Sequence, residues 1–345
     1  QDTGTKQPTT AGEVTFGVDL TGFSTRVTQD GSSWNDGDKI GTYVLDMKTL
    51  EPVTEAANVP YVCSEEGASV SFTSTTPLKV QNDGTPVKFV AYYPYNADVR
   101  NLNYPVQLAA QERGSTACDL LYAATKEEYT YSPENEPHIS LNFTHRLAKV
   151  ILKFVNMEKE PLEVSDVRIE GMQTAASFNI QTDVLTVDES SVATINPYHN
   201  ATTGFYEAII LPSALTDSYK VSFVLDDREK EWIFTNLDIA LPQFHKGYSY
   251  TFALYIDDSG FVEMGRLENV EGGNSSAPWE DGSSEDGTAD GDKTPVAGYA
   301  FTPADGTQQA LADTELKIAF EGTAPELGTS GCIRIYRMSD HKQVD

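Results

Sequence analysis

Cysteine is scarce in this sequence, and its spacing excludes two kinds of small, cross-linked domain. The three cysteines, Cys63, Cys118 and Cys332, lie far apart, and no C-x-x-C pair occurs. Zinc ribbons and disulfide-rich scaffolds both need closely spaced cysteines, so neither is predicted. We interpret the three as small hydrophobic residues of the interior, with a Cys63–Cys118 disulfide as the alternative.

Basic residues and long apolar runs are also few. The 345 residues include 24 Lys and Arg against 52 Asp and Glu, which gives a formal net charge of -28 at pH 7. Nucleic acid binding depends on Lys and Arg displacing counterions from phosphates, so nucleic acid is not an expected partner. No run of about 18 apolar residues occurs, and no transmembrane segment is therefore expected.

Catalytic and cofactor signatures are missing as well. The sequence contains no G-x-S-x-G, H-E-x-x-H, Walker A or G-x-G-x-x-G motif. Of only five histidines, His145 lies between two apolar runs, which is typical of a hydrogen-bonded structural residue. Asp36 and Asp38 are spaced like calcium ligands, but Asn-Asp-Gly-Asp is also turn chemistry, and we favour the turn. We therefore expect no enzyme, no cofactor and no metal site.

Apolar residues recur at every second position in many short stretches. The clearest stretches are Val14, Phe16, Val18, Leu20 and Ala148, Val150, Leu152, Phe154. This period predicts β-strands, and no stretch shows the i, i+3, i+4, i+7 spacing of a capped helix. Because a strand with one apolar face must bury it against another sheet, the sequence predicts an all-β protein with two β-sandwich domains in tandem.

Changes in composition divide the chain into five predicted segments. Residues 1–11 are polar and predicted to be disordered, residues 12–137 and 138–270 form the two sandwiches, residues 271–295 form an acidic Gly/Ser linker, and residues 296–345 form a short β-rich segment. The first boundary follows a stretch with two prolines and four glutamates, Glu127–Pro137. Since the sequence opens on Gln1 and not on Met, we expect a processed N-terminus after a lipoprotein-type export signal.

Seventeen tyrosines occur, with Tyr92, Tyr93 and Tyr95 close together. Aromatic faces can stack on sugar rings, so the group is a candidate for glycan contact. Adjacent residues of a strand point in opposite directions, however, and at most half of such a set can form one platform. We favour packing in the core or on a sheet face, with glycan contact as the alternative.

Several short phrases occur in a characteristic order between residues 12 and 282. They are Ser24-Thr-Arg26 with Ser33–Gly41, then Phe89–Tyr95, Asp119–Ala123, Leu141–Val150, Lys246–Phe252 and Pro278–Gly282. Together they resemble the fimbrillin and Mfa-like family of Bacteroidetes surface proteins. The resemblance implies two transthyretin-like β-sandwich domains, a lipoprotein precursor exported to the cell surface and outer membrane, and a non-enzymatic role as a fimbrial subunit or adhesin.

The resemblance also implies assembly by β-strand addition. Polymerising members are trimmed near the N-terminus by an arginine-specific protease and then complete a neighbour's sheet with a donated strand. Arg26 is the candidate processing point, with Arg113 and Arg146 as alternatives, and Val14, Phe16, Val18 and Leu20 form the strand whose removal would open a donor groove. The expected partners are other fimbrial subunits or surface ligands of host or bacterium, including glycans, and the expected membrane attachment is a lipid anchor.

The C-terminal residues support a second interpretation. A subunit that ends on a donor strand should not continue into a linker and further strands. Leu316–Phe320 and Ala324–Tyr336 resemble the start of Ig-like modules that precede pectinesterase-like or lyase-like domains in large surface enzymes of the same bacteria. The alternative function is therefore a non-catalytic N-terminal accessory module of a larger glycan-degrading surface enzyme, with residues 296–345 as a partial Ig-like segment.

Overall fold

A computed structural model describes residues 11–18, 34–53, 57–67, 70–111, 115–134, 137–234, 243–272, 299–302 and 317–320. Across these ranges the chain forms strands and no α-helix, and the helical conformation there is one 3-10 turn, Ser115–Cys118. The all-β fold class is confirmed. The chain divides into two compact units, Gln1–Ser284 and Glu285–Asp345.

Eleven strands precede residue 146 in the first unit. They are β1 (Ala11–Glu13), β2 (Thr15–Val18), β3 (Lys39–Asp46), β4 (Val59–Cys63), β5 (Val70–Thr73), β6 (Lys79–Gln81), β7 (Val87–Tyr93), β8 (Asn103–Gln107), β9 (Leu121–Ala124), β10 (His138–Ser140) and β11 (Thr144–His145). Eight of them form one sheet in the order β10-β2-β5-β4-β3-β7-β9-β11, and β1 pairs with β6 beside it. This large sheet dominates the N-terminal half of the unit.

Both faces of the large sheet are covered by apolar side chains. One core contains Val44, Phe89 and Ala91, and the other contains Tyr43, Val90 and Tyr92. Because neighbouring residues of a strand point to opposite faces, β3 and β7 must be apolar at nearly every position. Their continuous burial follows from a sheet that lies between two cores.

Twelve further strands complete the first unit. They are β12 (Ala148–Asn156), β13 (Ser165–Glu170), β14 (Ala175–Asn179), β15 (Val184–Val187), β16 (Tyr198–Asn200), β17 (Phe205–Ile210), β18 (Ser213–Ala214), β19 (Lys220–Leu225), β20 (Arg228–Ile233), β21 (Gln243–Phe244), β22 (Tyr248–Ile256) and β23 (Val262–Gly272). A five-stranded sheet, β16-β17-β12-β22-β23, and a three-stranded sheet, β13-β19-β20, share a single apolar core. These two sheets form a β-sandwich.

The alternating residues of β12 provide the core of this sandwich, as their period predicts. Val150 and Leu152 are fully buried, and the Phe154 ring lies 4.7 Å from the ring of Phe223 on the facing sheet. In the same core, the indole of Trp232 packs against the backbone of Gly265, so closely that a Cβ at this position would overlap the ring. Glycine is therefore the residue that fits at position 265.

A third sheet connects the two halves of the unit. Its order is β15-β14-β8, so that β8 from the first half pairs with β14 from the second. The amide side chain of Gln111 donates to the carbonyls of Leu108 and Ile209, each at 2.7 Å, and its oxygen accepts from the N–H of Ile209. The strands β10 and β11, which follow residue 137, also belong to the large sheet. The predicted domain limits stay predictions.

In the second unit, two strands pair antiparallel: β24 (Tyr299–Thr302) and β25 (Lys317–Phe320). The predicted strand within Leu316–Phe320 coincides with β25. Residues 1–10 and residues 273–298, which hold most of the predicted N-terminal segment and acidic linker, lie outside the described residues. Ala11 opens β1, and Glu271 and Gly272 close β23.

Candidate functional site

The N-terminal strand β2 lies inside the large sheet and not at its edge. On one side it pairs parallel with β10, where Phe16 is opposite Ile139, and on the other it pairs antiparallel with β5, where Phe16 is opposite Phe72. Its removal would leave two strands with unpaired main-chain groups facing each other across an empty slot. We call this position, between β10 and β5, the strand slot.

Three apolar side chains hold the segment in the slot. Val14, Phe16 and Val18 are at most 2% exposed, and the Phe16 ring lies 4.8 Å from the ring of Tyr61 in an edge-to-face contact. These are three of the four residues predicted for this strand. The fourth, Leu20, lies outside the described residues.

Tyr61 also binds the main chain of the segment. Its hydroxyl donates to the carbonyl of Val14 at 2.9 Å and accepts from the N–H of Leu78 at 2.9 Å. The N–H of Val14 donates in turn to the Leu78 carbonyl at 2.9 Å. Burial raises the pKa of Tyr61 to about 12, so the phenol keeps its proton at neutral pH and continues to donate.

Glycine allows close approach at one point of the slot. A Cβ on Gly17 would lie 2.8 Å from Nε2 of His138, which is closer than real Cβ contacts. On the same side, the Thr15 hydroxyl and Nδ1 of His138 are 3.0 Å apart and hydrogen-bonded. Sequence reasoning missed Tyr61 and His138, because their roles depend on pairings with residues more than 40 positions away.

Of the three candidate cleavage sites, the structure describes Arg146. Arg26 and Arg113 lie outside the described residues. Arg146 forms a two-point ion pair with Asp183, with Nε–Oδ1 at 2.5 Å and Nη2–Oδ2 at 3.0 Å, and its guanidinium lies 4.9 Å from the centre of the Tyr122 ring. A protease would have to break this arrangement to reach Arg146, which argues against that alternative.

The buried histidine has the structural role that the sequence predicts. Nδ1 of His145 lies 2.8 Å from Oδ2 of Asp119, and both side chains are nearly enclosed. Cys118, next in the chain to Asp119, has a thiol whose pKa is raised by burial, and this disfavours the thiolate that a nucleophile needs. Cys63 and Cys118 are both free, so the alternative Cys63–Cys118 disulfide is wrong.

The Asn-Asp-Gly-Asp phrase forms a turn. The N–H of Asn35 donates to Oδ2 of Asp38 at 2.7 Å, and Gly37 has a φ of 87°, in the left-handed region that glycine tolerates. Burial raises the pKa of Asp38. Trp34 packs against Phe72 in the core. Within the described ranges, no group of three or more His, Cys, Asp or Glu is arranged to hold a metal ion.

The three clustered tyrosines separate as strand geometry requires. Tyr92 lies in one core of the large sheet, and Tyr93 packs against the other, where it contacts Trp34. Tyr95, beyond the end of β7, is only half-buried. Core packing is thus confirmed for the first two.

Comparison with known proteins agrees with the resemblance in the sequence. A profile of a family described as fimbrillin-like matches residues 25–279. No curated protein matches the chain in sequence. Across the part of the chain that is described, no helix has the length and apolar character needed to cross a membrane.

Two solved structures have a similar fold. One is a candidate cell adhesion protein from Bacteroides uniformis, with 22% identity, a TM-score of 0.61 and coverage of 76% of this chain and 97% of its own. The other is a candidate cell adhesion protein from Bacteroides ovatus, with 16% identity, a TM-score of 0.56 and coverage of 76% and 98%. At these identities the likeness concerns the fold alone.

Proposed function

This chain belongs to the fimbrillin-like family, and on that premise we propose that it is a cell-surface adhesin or fimbrial subunit that assembles by β-strand addition and catalyses no reaction. The observation that carries the proposal is the position of β2 between β10 and β5. A strand in this position completes the sheet. If the chain after it is cut, a strand from another subunit can replace it.

The boundaries of the family match support a removable segment. The match begins at residue 25, next to Arg26, and so the whole of β1 and β2 precedes it. Cleavage after Arg26 would leave this segment held by hydrogen bonds and by burial of Val14, Phe16 and Val18. Full burial of such side chains contributes about 1.5–3 kcal/mol each. A donor strand with apolar residues at the same alternate positions would compete for the slot.

The same proposal includes export and anchoring. A lipid-anchored precursor carried to the outer membrane would display the chain where fimbrial subunits or surface ligands of another cell can reach it. The net charge of -28 is consistent with display, because a strongly acidic surface keeps a protein soluble and separate from its copies until a specific contact forms.

One observation favours a second candidate function. The residues Glu285–Asp345 form a compact unit of their own, outside the family match, and this unit contains the antiparallel pair β24–β25. A separate module fits an accessory role in a larger surface enzyme, with the fimbrillin-like unit as its non-catalytic part.

Strand exchange can be tested on purified protein. An arginine-specific protease should cut once near the N-terminus, at Arg26, and a labelled peptide with the sequence of residues 11–20 should then enter the slot. Arg26→Ala should block both events, and the same peptide with aspartate in place of Phe16 should not bind. Uptake of the aspartate peptide, or equal uptake by uncut protein, would contradict strand addition at this slot.

The two candidate functions can be separated in the native organism. An antibody against residues 12–258 is used on surface fractions with and without boiling in detergent. A ladder that collapses to the monomer on boiling supports a fimbrial subunit. A single much larger band that survives boiling supports the accessory module and refutes polymerisation.

A further inference from the structure

The first unit contains a cleft of about 640 Å³ that is open to solvent and lined by both polar and apolar residues. Its described walls come from four parts of the chain: Tyr43 on β3, residues 51–52 and 57–58 before β4, residues between 95 and 102 that separate β7 from β8, and Gln181 after β14. The volume falls within the roughly 300–1,000 Å³ of small-molecule sites. None of the residues that hold the N-terminal segment in the strand slot lines this cleft.

Two tyrosines line the cleft, but only Tyr95, which is half-buried, offers ring surface to a ligand, since Tyr43 is 3% exposed and packs in the core. Tyr43 and Tyr95 both line it, and neither hydroxyl has a hydrogen-bond partner among the residues that are described. The nearby Tyr92 differs, since its hydroxyl donates to Oδ1 of Asn58 at 2.5 Å and to the carbonyl of Asn96 at 3.1 Å. Burial raises the pKa of Tyr43 to about 12, so its hydroxyl remains a donor at neutral pH.

Amide and guanidinium groups stand beside the rings. Gln181 donates from Nε2 to the carbonyl of Leu50 at 2.8 Å, which fixes the side chain while its Oε1 has no described partner. Arg100 donates from Nη1 to the carbonyls of Ala97 and Val99, at 2.6 and 3.0 Å, and so braces its own loop. Asn101 and Glu51 also line the cleft, are exposed, and their side chains have no described partner.

The backbone around the cleft is held in an unfavourable conformation. Four non-glycine residues here have positive φ: Leu50 (59°), Asn58 (55°), Asn101 (51°) and Leu102 (58°). Leucine seldom adopts this region, because the left-handed conformation raises the free energy of an L-residue with a bulky side chain. Contacts with other parts of the fold hold Leu102 in this conformation: its side chain is buried, and its carbonyl accepts from the N–H of Ile180 at 2.7 Å. Such conformations cluster at ligand sites, where they fix polar groups in advance.

We propose that this cleft binds a neutral oligosaccharide. The ring of Tyr95 can cover the C–H face of a sugar ring, while the amide groups and the tyrosine hydroxyls offer donors and acceptors for sugar hydroxyls. Among the described lining residues the charged groups are one guanidinium, Arg100, and one carboxylate, Glu51, and this balance favours an uncharged ligand over an anion or a metal ion. The inference rests on the proposed adhesive function, for which it names the class of ligand.

The cleft offers a substitution that removes a contact without straining the chain. Asn101→Gly deletes the amide and also relieves the positive φ, so the variant should be at least as stable as the natural protein. The matched control is Asp227→Gly in the β19–β20 turn, where φ is 60° and no cleft residue is near in sequence. Tyr95→Ala removes a ring, and Tyr95→Phe keeps the ring but deletes its hydroxyl.

The test is saturation-transfer NMR and calorimetry of the full chain with N-acetyllactosamine, cellotetraose, maltotetraose and xylotetraose at millimolar concentrations. At least one should bind, and Tyr95→Ala and Asn101→Gly should each weaken that binding about tenfold, equivalent to ~1.4 kcal/mol. Asp227→Gly should leave binding unchanged, and the affinity of Tyr95→Phe should lie between those of the natural protein and Tyr95→Ala. Absence of binding to all four, or binding that neither cleft variant weakens, would overturn the proposal.

The same variants separate this inference from the proposed assembly. Asn101→Gly should still form the ladder that collapses on boiling, because the strand slot is intact. A normal ladder without sugar binding would refute the proposal that the cleft binds sugar and would leave the proposed assembly intact. Sugar binding without a ladder would refute assembly and leave the cleft standing.

Discussion

Replacing Phe16 with alanine tests how firmly the N-terminal segment is held. The ring is fully buried and contacts Tyr61 at 4.8 Å and Phe89 at 5.9 Å, both edge to face. Truncation of a buried phenylalanine to alanine costs about 3–5 kcal/mol, which combines lost burial with the cavity left behind. The surrounding sheet is paired on both sides and cannot collapse readily, so we expect the upper half of that range.

The assay is equilibrium unfolding in urea, which yields the free energy of unfolding of the intact chain. In protein cut at Arg26, the same substitution should weaken binding of a peptide with the sequence of residues 11–20 by about 10²–10³-fold, the equivalent of ~3–4 kcal/mol. The control is Val184→Ala on the edge strand β15, where the side chain is 51% exposed, and its cost should stay within about 0.5 kcal/mol. A cost below about 1 kcal/mol for Phe16→Ala would refute the view that this ring anchors the segment.

Three further predictions concern neighbouring groups. Gly17→Ala should destabilise the protein by about 0.5–1.5 kcal/mol, because the exposed His138 ring must turn away and give up its hydrogen bond to Thr15, and a double-mutant cycle with His138→Ala should recover most of the loss. Arg146→Ala should cost about 1–3 kcal/mol, less than for a fully buried pair because Asp183 is partly exposed, and calorimetry should show a lowered Tm. Tyr61 has a folded-state pKa of about 12 against 10.0 for the free group, so the folded state holds its proton longer and stability should fall as pH rises from about 10 to 12. Circular dichroism during alkaline titration should show a shallower loss for Tyr61→Phe, and a slope equal to that of the natural protein would contradict this assignment.

The local hydrophobic pattern was sufficient to predict which residues are buried in strands that have one buried face. The period of two in β12 identifies its apolar face, and the structure places Val150 and Leu152 in the core. The same rule separates Tyr92 from Tyr93 without any structure. Period alone is less informative for β3 and β7, because two cores bury both of their faces and the alternation disappears.

The rest of the fold depends on contacts that carry no local signal. The pairing of β8 with β14 joins residues about 70 positions apart, and the insertion of β2 beside β10 joins Thr15 to His138. Neither pairing could be read from propensity or from the hydrophobic pattern. The cleft was also not predictable as a whole: Tyr95 was a candidate for glycan contact, but apart from Tyr43 on β3 the lining residues lie in loops with ordinary turn composition, and positive φ at Leu50 and Leu102 has no signature in the sequence.

The two proposed activities are compatible because they use opposite faces of one sheet. On β3, Val44 belongs to the core that receives Phe16, whereas Tyr43, its neighbour in the chain, belongs to the other core and lines the cleft. Exchange of the strand in the slot would rebuild the first core and leave main-chain pairing of β3 with β4 and β7 in place. A subunit could therefore exchange its N-terminal strand for a donor while keeping the cleft intact, so that assembly and ligand binding would be independent properties of one fold.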